Sequence, residues 1–209
     1  MIKFCHVYLK YIKDFFTLYD INFEINKNTL FFGNRADGTS SILRLISKID
    51  KKYEGEIFID NINLRELNDR QLNLAYVSEN AYLFKHKSIF ENLYYPLKIR
   101  KINKKDAKNL INSYIDQFKI EFFSKKIKQL TYSEQKIVTL LRALIRKPKY
   151  ILIENFITDL DKEYLDLACK IIHEMEKFSI IIACEKSNSN IECFNDYNHI
   201  VLENGSIKK

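Results

Sequence analysis

A loop between two apolar segments carries the residue types and spacing of a phosphate-binding site. Gly33 and Gly38 lie five residues apart, and the hydroxyl of Ser40 follows two residues later. In the pattern G-x-x-x-x-G-K-[ST], backbone N–H groups and a helix N-terminus hold phosphate, the lysine reaches the outer phosphates, and the hydroxyl binds Mg²⁺. The spacing predicts a phosphate loop, whose candidate nucleotide-binding residues are Gly33, Asn34, Arg35, Ala36, Asp37, Gly38, Thr39, Ser40 and Ser41.

The loop departs from this pattern at the position of the lysine, where the chain has Thr39. A charge-assisted hydrogen bond contributes about 1.5–3 kcal/mol, so its loss lowers the affinity for phosphate roughly 10- to 100-fold. Asp37 adds a carboxylate beside the expected phosphates, and Arg35 is a nearby cation that could offset part of it. Ala36 limits the positive φ values that such a loop uses. We therefore expect weak phosphate binding.

The elements around the loop read as strands alternating with helices, which predicts an α/β fold in one domain, residues 1–209. Ile21, Phe23 and Ile25 alternate with polar residues in a strand-rich segment that extends to Asp60. The uninterrupted apolar run at 150–153 is typical of a central parallel strand. Asn204 and the glycine after it predict a closing hairpin.

The middle of the chain has helical periodicity instead. Apolar residues recur at helical spacing from Ala107 to Phe118, with Asn103 as a candidate N-cap. A further helix carries Val138 and Leu141 and ends before Pro148. These patterns predict an inserted helical subdomain over about residues 85–135.

Composition sets limits on partners and compartment. The net charge is +7 and the pI is about 9.0, but the lysines are dispersed, which argues against nucleic acid as a partner. None of the four cysteines forms a C-x-x-C pair, and no apolar stretch is long enough to cross a membrane. We expect a cytoplasmic protein with reduced thiols, whose membrane role would come through a partner.

The order and spacing of many segments resemble the ATP-binding subunits of ATP-binding-cassette (ABC) transporters over nearly all 209 residues. Residues 130–136 resemble the family's signature motif, and residues 141–144 resemble the helix that follows it. Its Walker B strand resembles 147–156, and its Q-loop resembles 75–80. The resemblance implies a P-loop NTPase-like ABC ATPase fold with an N-terminal antiparallel β part, a central mostly parallel sheet and the helical subdomain. It also implies ATP and Mg²⁺ as ligands and a transmembrane permease as partner.

The same resemblance assigns roles to single residues, most of which are replacements. Tyr11 would stack on adenine. Glu79 would take the place of the Q-loop glutamine, and with Ser40 and Glu154 it would bind the metal. Asn155 and Glu185 occupy the positions of the catalytic glutamate and the switch histidine, so no catalytic residue is intact. The signature corresponds to Leu130, Thr131, Tyr132, Ser133 and Glu134.

These replacements predict impaired ATP hydrolysis. An amide at position 155 cannot accept a proton from water, which removes general-base assistance of about 10²–10⁴-fold. The first hypothesis is a subunit of a homodimer or heterodimer that binds ATP weakly at the inner face of the membrane. Its permease would dock beside the aromatic side chains of Tyr82, Phe84, Tyr94 and Tyr95. The alternative is a pseudo-ATPase scaffold that no longer binds nucleotide, and the carboxylates of Asp37, Glu134 and Glu185 favour it.

Overall fold

Ten strands and five α-helices form the described part of the chain. The computed structural model describes residues 1–12, 15–34, 36–69, 71–158, 160–186 and 191–208. The strands are β1 Ile2–Leu9, β2 Leu18–Ile25, β3 Thr29–Gly33, β4 Glu54–Ile59, β5 Ile62–Asn63, β6 Leu74–Val77, β7 Tyr150–Glu154, β8 Ile180–Lys186, β9 Asn198–Glu203 and β10 Ser206–Ile207. The helices are α1 Thr39–Ile46, α2 Ile89–Ile99, α3 Lys104–Phe118, α4 Tyr132–Arg146 and α5 Lys162–Glu176.

The strands form two sheets, as the resemblance implies. Four of them pair antiparallel in the order β2-β1-β4-β5. The other six are ordered β10-β9-β3-β8-β7-β6, and every pair is parallel except the closing β9–β10 hairpin. The expected antiparallel β part and mostly parallel central sheet are therefore confirmed.

The central sheet separates two apolar cores because successive side chains of a strand point to opposite faces. Ile151 and Ile153 pack with helices α2 to α5, whereas Leu152 packs with α1 and the antiparallel sheet. All three are fully buried. A slip of one residue in the pairing of β7 would turn each side chain to the opposite core. Because β7 has apolar residues on both faces, such a slip would cost less free energy than in a strand with one polar face.

Local signals explain where the helices begin. The side chain of Asn103 accepts a hydrogen bond from the backbone N–H of Asp106, which confirms Asn103 as the N-cap of α3. Helix α2 begins after Ser88, which forms a capping box with Glu91. The 85–135 span carries α2, α3 and two short 3₁₀ turns at 121–124 and 127–129. That this span forms a separate subdomain stays a prediction.

A disulfide joins Cys169 in α5 to Cys193 in the turn before β9, with the two Cα atoms 4.8 Å apart. The expectation of reduced thiols is therefore wrong for this pair, while Cys5 and Cys184 are free. Spacing could not reveal the bond because the two cysteines are 24 residues apart and meet only when the turn at 192–194 packs on α5. Within the described residues, no helix has the length and apolar content needed to traverse a lipid bilayer.

We expect Cys169→Ser to lower the free energy of unfolding by about 3 kcal/mol, because the bond restricts the unfolded chain across a loop of this length. Urea unfolding followed by circular dichroism measures the change. Dithiothreitol should lower the stability of the parent chain by the same amount. Cys5→Ser, which leaves the bond intact, is the matched control. Equal midpoints for Cys169→Ser and the parent would contradict a stabilising disulfide.

Candidate phosphate-binding site

A cavity of about 600 Å³ lies at the carboxyl ends of strands β3, β7 and β8. Side chains and loops following parallel strands meet at this edge of a sheet, which is where ligands bind in open α/β folds. The cavity brings together most of the predicted phosphate loop with residues from four other segments. Its lining consists of Tyr11, Phe15, Thr17, Gly33, Asn34, Ala36, Gly38, Thr39, Ser40, Ser41, Glu79, Asn155 and Lys186. Arg35, also predicted to bind nucleotide, lies outside the described residues.

The described backbone of the loop passes through two left-handed residues into the N-terminus of a helix. Gly38 has a φ of 90°, and a Cβ atom there would lie 2.7 Å from the carbonyl oxygen of Thr17. Ala36 has a φ of 77° despite its Cβ, a left-handed conformation that costs a non-glycine residue about 1–2 kcal/mol. Helix α1 begins at Thr39, so the backbone N–H groups of its first turn have no intrahelical partner. Those groups remain able to bind an anion.

Asp37 does not take the position that the sequence predicts, because its carboxylate is directed into the protein. One oxygen accepts the backbone N–H of Asn34 at 2.6 Å, and the other accepts the backbone N–H of Asn204 at 3.0 Å. The side chain is buried. Asp37 therefore ties the loop to the β9–β10 hairpin, and the predicted repulsion of phosphate is reduced by these two donors.

Tyr11 lies at the rim of the cavity with 54% of its surface exposed. Its hydroxyl donates to the carboxylate of Asp50 and lies 3.3 Å from the hydroxyl oxygen of Ser41. Asp50 is in turn ion-paired with Arg44 at 2.8 Å. Burial and the Asp50 carboxylate raise the pKa of Tyr11. The hydroxyl anchors the ring beside the loop, and adenine stacking stays a prediction.

The three predicted metal ligands divide into two groups. Ser40 and Glu79 both line the cavity. Glu154 instead accepts a hydrogen bond of 2.7 Å from the hydroxyl of Tyr76, whose pKa is raised by burial and by this carboxylate. Among the described residues, no cluster of three or more His, Cys, Asp or Glu side chains could hold a metal ion by itself. A metal held by Ser40 and Glu79 would need further oxygen ligands from a bound phosphate.

Glu185 is fully buried and accepts three hydrogen bonds, which overturns the expectation that it repels a phosphate in the cavity. One carboxylate oxygen accepts the backbone N–H groups of Phe156 at 2.7 Å and Ile157 at 2.9 Å. The other accepts the hydroxyl of Thr158 at 2.9 Å. Burial raises the pKa of Glu185, and the three donors and the charge of Lys136 oppose the rise. The side chain fixes the segment that follows β7.

Lys136 holds the same segment from the other side. It is fully buried, and its ammonium group donates to the carbonyl oxygen of Phe156 at 2.7 Å. The sequence pattern does not predict this role, although a lysine inside the apolar stripe of α4 is an unusual composition that could have indicated it. Because burying an ionised group is costly without partners, Lys136 and Glu185 stabilise each other through Phe156.

The signature residues form the N-terminus of α4. The hydroxyl of Thr131 accepts the backbone N–H of Glu134 at 3.2 Å, and the Glu134 carboxylate accepts the backbone N–H of Thr131 at 2.8 Å. Glu134 is buried and ion-paired with Lys125 at 2.6 Å, so its charge is compensated within the chain. Leu130 is also buried, and the hydroxyl of Ser133 lies 2.6 Å from the carboxylate of Asp161.

Tyr132 connects the signature helix to the cavity wall. Its hydroxyl donates to the backbone carbonyl oxygen of Glu79 at 2.8 Å, while much of its ring is exposed. The ring therefore lies at the start of α4, beside the backbone of the signature.

Residues 18–156, well over half of the chain, match the protein-family model for ABC transporters. The chain belongs to the ABC transporter family. It is 30% identical to an sn-glycerol-3-phosphate import ATP-binding protein of Bartonella bacilliformis, over 84% of this chain and 52% of that protein. It is 27% identical to an Fe(3+) ions import ATP-binding protein of Vibrio cholerae, over 84% of this chain and 51% of that protein. The chain thus spans about half the length of these curated relatives.

Solved structures confirm the predicted ABC ATPase fold. The dimeric bacterial ABC transporter cassette MJ0796 superposes with a TM-score of 0.87 at 22% identity, covering all of this chain and 97% of that one. The cbiO1 protein of Clostridium perfringens, part of an ABC transporter complex, superposes with a TM-score of 0.81 at 20% identity, covering all of this chain and 86% of that one. At these identities the likeness shows the fold alone.

Three lining residues of this ABC cassette are not predicted by the motifs: Phe15, Thr17 and Lys186. Lys186 ends β8 and pairs in register with Gly33, at the start of the phosphate loop. The rule that ligands bind at the carboxyl ends of parallel strands could have identified it. Asn155 is also part of the lining, so this position after β7 faces the cavity.

We expect Glu185→Ala to lower the free energy of unfolding by about 3–5 kcal/mol, because it leaves buried N–H donors and a buried lysine uncompensated. Glu185→Gln, which keeps one acceptor oxygen, should lose roughly half as much. Urea unfolding measures both changes. The control is Glu203→Ala, whose exposed ion pair with Lys208 should contribute less than about 1 kcal/mol. Equal losses for Glu185→Ala and the control would contradict the role of Glu185.

Proposed function

We propose that the chain is an ABC-transporter ATP-binding subunit that binds ATP weakly, hydrolyses it poorly and couples to a separate membrane permease. One observation carries this proposal: the cavity keeps a phosphate-loop backbone together with Ser40, while an amide replaces the carboxylate at Asn155. The retained backbone supports binding, and the lost carboxylate argues against turnover. The curated relatives that match the chain are import ATP-binding proteins, which supports the coupling to transport.

The residues of the cavity fit a nucleotide with its metal ion. The N–H groups at the start of α1, which have no partner within the helix, suit the phosphates, and Tyr11 and Phe15 supply aromatic surface for a base. Ser40 and Glu79 would hold Mg²⁺, which neutralises phosphate charge when it is bound. Glu154 accepts the hydroxyl of Tyr76 on one carboxylate oxygen, so its other oxygen would be the one to hold the ion.

Impaired hydrolysis follows from two side chains. The amide of Asn155 cannot take a proton from an attacking water at neutral pH, and this assistance contributes about 10²–10⁴-fold to the rate of a typical enzyme. Glu185, in the position of the switch histidine, is already bonded to the segment after β7. Neither side chain can assist the reaction as the family's residues do.

A second groove, of about 980 Å³, suits the permease. It lies between the edge strand β6 and helices α2 and α4, where the rings of Phe84 and Tyr95 meet at 5.0 Å. Of the other aromatic residues predicted there, Tyr94 stacks on Phe90 within the protein, and Tyr82 is exposed nearby. A permease segment docked in this groove would place the chain at the inner face of the membrane.

The groove is also rich in positive charge. Among its described lining residues, one carries a carboxylate, Asp69, and four carry a positive charge. The four cations are Arg100, Arg142, Arg146 and Lys147. Burial lowers the pKa of Arg142 and of Arg146, as expected for cations held in a partly closed groove. A docking segment that carries carboxylates would complement this charge.

The alternative function, a pseudo-ATPase scaffold, is favoured by the internal bonds of the site. Asp37, Glu134 and Glu185 all compensate backbone donors without a nucleotide. The negative charges near the site are thus satisfied by donors of the chain itself. Such a protein would pair with a second copy or another ABC subunit, as the dimeric cassettes among its structural neighbours do.

Calorimetric titration with Mg-ATP decides between the two functions. We expect binding with a Kd in the micromolar to millimolar range and, in a phosphate-release assay, no turnover above background. The Thr39→Lys variant should tighten binding about 10- to 100-fold, because it returns a charged donor to the loop. No binding by the parent up to millimolar ATP, with binding by Thr39→Lys, would establish the scaffold instead. Turnover by the parent comparable to an ordinary enzyme, about 1 s⁻¹ or more, would refute impaired hydrolysis.

Docking in the groove is tested by sedimenting the chain with membranes from the cells that produce it. Arg146→Glu places a carboxylate among three cations that the partner would contact, and we expect it to weaken this association about tenfold or more. Lys170→Glu reverses an exposed charge on α5, outside the groove, and should have no such effect. If both variants sediment with membranes like the parent, the groove is not the docking surface.

A further inference from the structure

Lys186 is the one cation among the described residues that line the phosphate cavity. It is the last residue of β8, and its backbone pairs in register with Gly33, where the phosphate loop begins. Neighbouring strands lie about 4.8 Å apart, so the lysine stem starts one strand away from the loop. In the cassette family, the phosphate loop itself carries a lysine. In this chain that position is Thr39, the first residue of α1.

We propose that Lys186 replaces the missing loop lysine by delivering an ammonium group to the phosphates from the neighbouring strand. This inference rests on the proposed nucleotide binding and names the residue that makes such binding feasible. Lysine suits the role because its ammonium is a compact charge on a flexible four-carbon stem. It can therefore reach a phosphate from a different starting point, which a rigid side chain could not do.

The present contact of Lys186 is weak enough to be exchanged for a phosphate. Its ammonium lies 3.8 Å from the carboxylate of Glu79, and the two side chains are 41% and 40% exposed. An ion pair of this length and exposure contributes at most about 1 kcal/mol. A triphosphate carries several negative charges and would compete well for the ammonium. The exchange would also free the Glu79 carboxylate at the cavity wall.

The carboxylates around the cavity do not compete with a phosphate for Lys186, except for Glu79. The Asp37 carboxylate is compensated by two backbone N–H groups, and Glu185 lies buried behind the segment that follows β7. Glu79 is thus the only carboxylate among the described lining residues. The charge of Lys186 offsets that of Glu79, so the described lining has no net charge before an anion enters.

Mg-ATP calorimetry on the parent chain and four variants tests the proposal. Lys186→Ala should weaken binding about 10- to 100-fold relative to the parent, the loss expected for one charge-assisted hydrogen bond. Lys177→Ala is the matched control, because Lys177 is an exposed lysine that precedes β8 at the opposite edge of the sheet. It should bind within twofold of the parent. The double variant Lys186→Ala with Thr39→Lys should regain the lost affinity, since it returns the ammonium to the loop.

Each result has one meaning. If the parent binds and Lys186→Ala binds equally well, the proposal is wrong while the proposed nucleotide binding stands. If Arg35→Ala loses the affinity and Lys186→Ala keeps it, the compensating charge comes from the loop itself, and the proposal is again wrong. If the parent fails to bind millimolar Mg-ATP, the nucleotide binding fails and this inference fails with it. Far-ultraviolet circular dichroism of every variant confirms that a loss of binding is not a loss of fold.

Discussion

The hydrogen bonds between Glu185 and the backbone of Phe156 and Ile157 are the constraint on which the rest of the site depends. A carboxylate removed from water needs donors, and here the first residues after β7 supply them. Lys136 binds the carbonyl group of Phe156, so the segment is held from α4 and from β8 together. This fixes the end of β7, and with it the wall of the cavity that carries Asn155.

The other acidic replacements, Asp37 and Glu134, are also buried carboxylates that accept backbone hydrogen bonds. Asp37 accepts backbone N–H groups from the loop and from the β9–β10 hairpin, and Glu134 accepts one from Thr131 while it pairs with Lys125. Negative charge that the sequence places near the phosphates is thereby used to hold backbone in place. Counting acidic residues along the motifs overstates the repulsion in the cavity, because the direction of each side chain decides where its charge acts.

Periodicity and order predict the fold well, because they record which faces are buried. The alternation at Ile21, Phe23 and Ile25 gives β2, the apolar run at 150–153 gives β7, and the cap at Asn103 gives the start of α3. The site is less predictable. Cys184 and Glu185 are neighbours on one strand and point to opposite faces. Neither lines the cavity, whereas Lys186 after them does, and a motif match alone could not show this. The bond between Cys169 and Cys193 likewise depends on packing between distant segments.

The loop that leaves β6 touches both the cavity and the groove. Glu79 lines the first, Phe84 lines the second, and Tyr132 holds the backbone of Glu79 to the signature helix between them. A ligand in either depression therefore acts on the same short stretch of chain. If an anion in the cavity changes the affinity of the groove for a partner, thermodynamic reciprocity requires the partner to change the affinity for the anion by the same factor. Such coupling is an equilibrium property, so it could persist in a cassette that never completes a hydrolytic cycle.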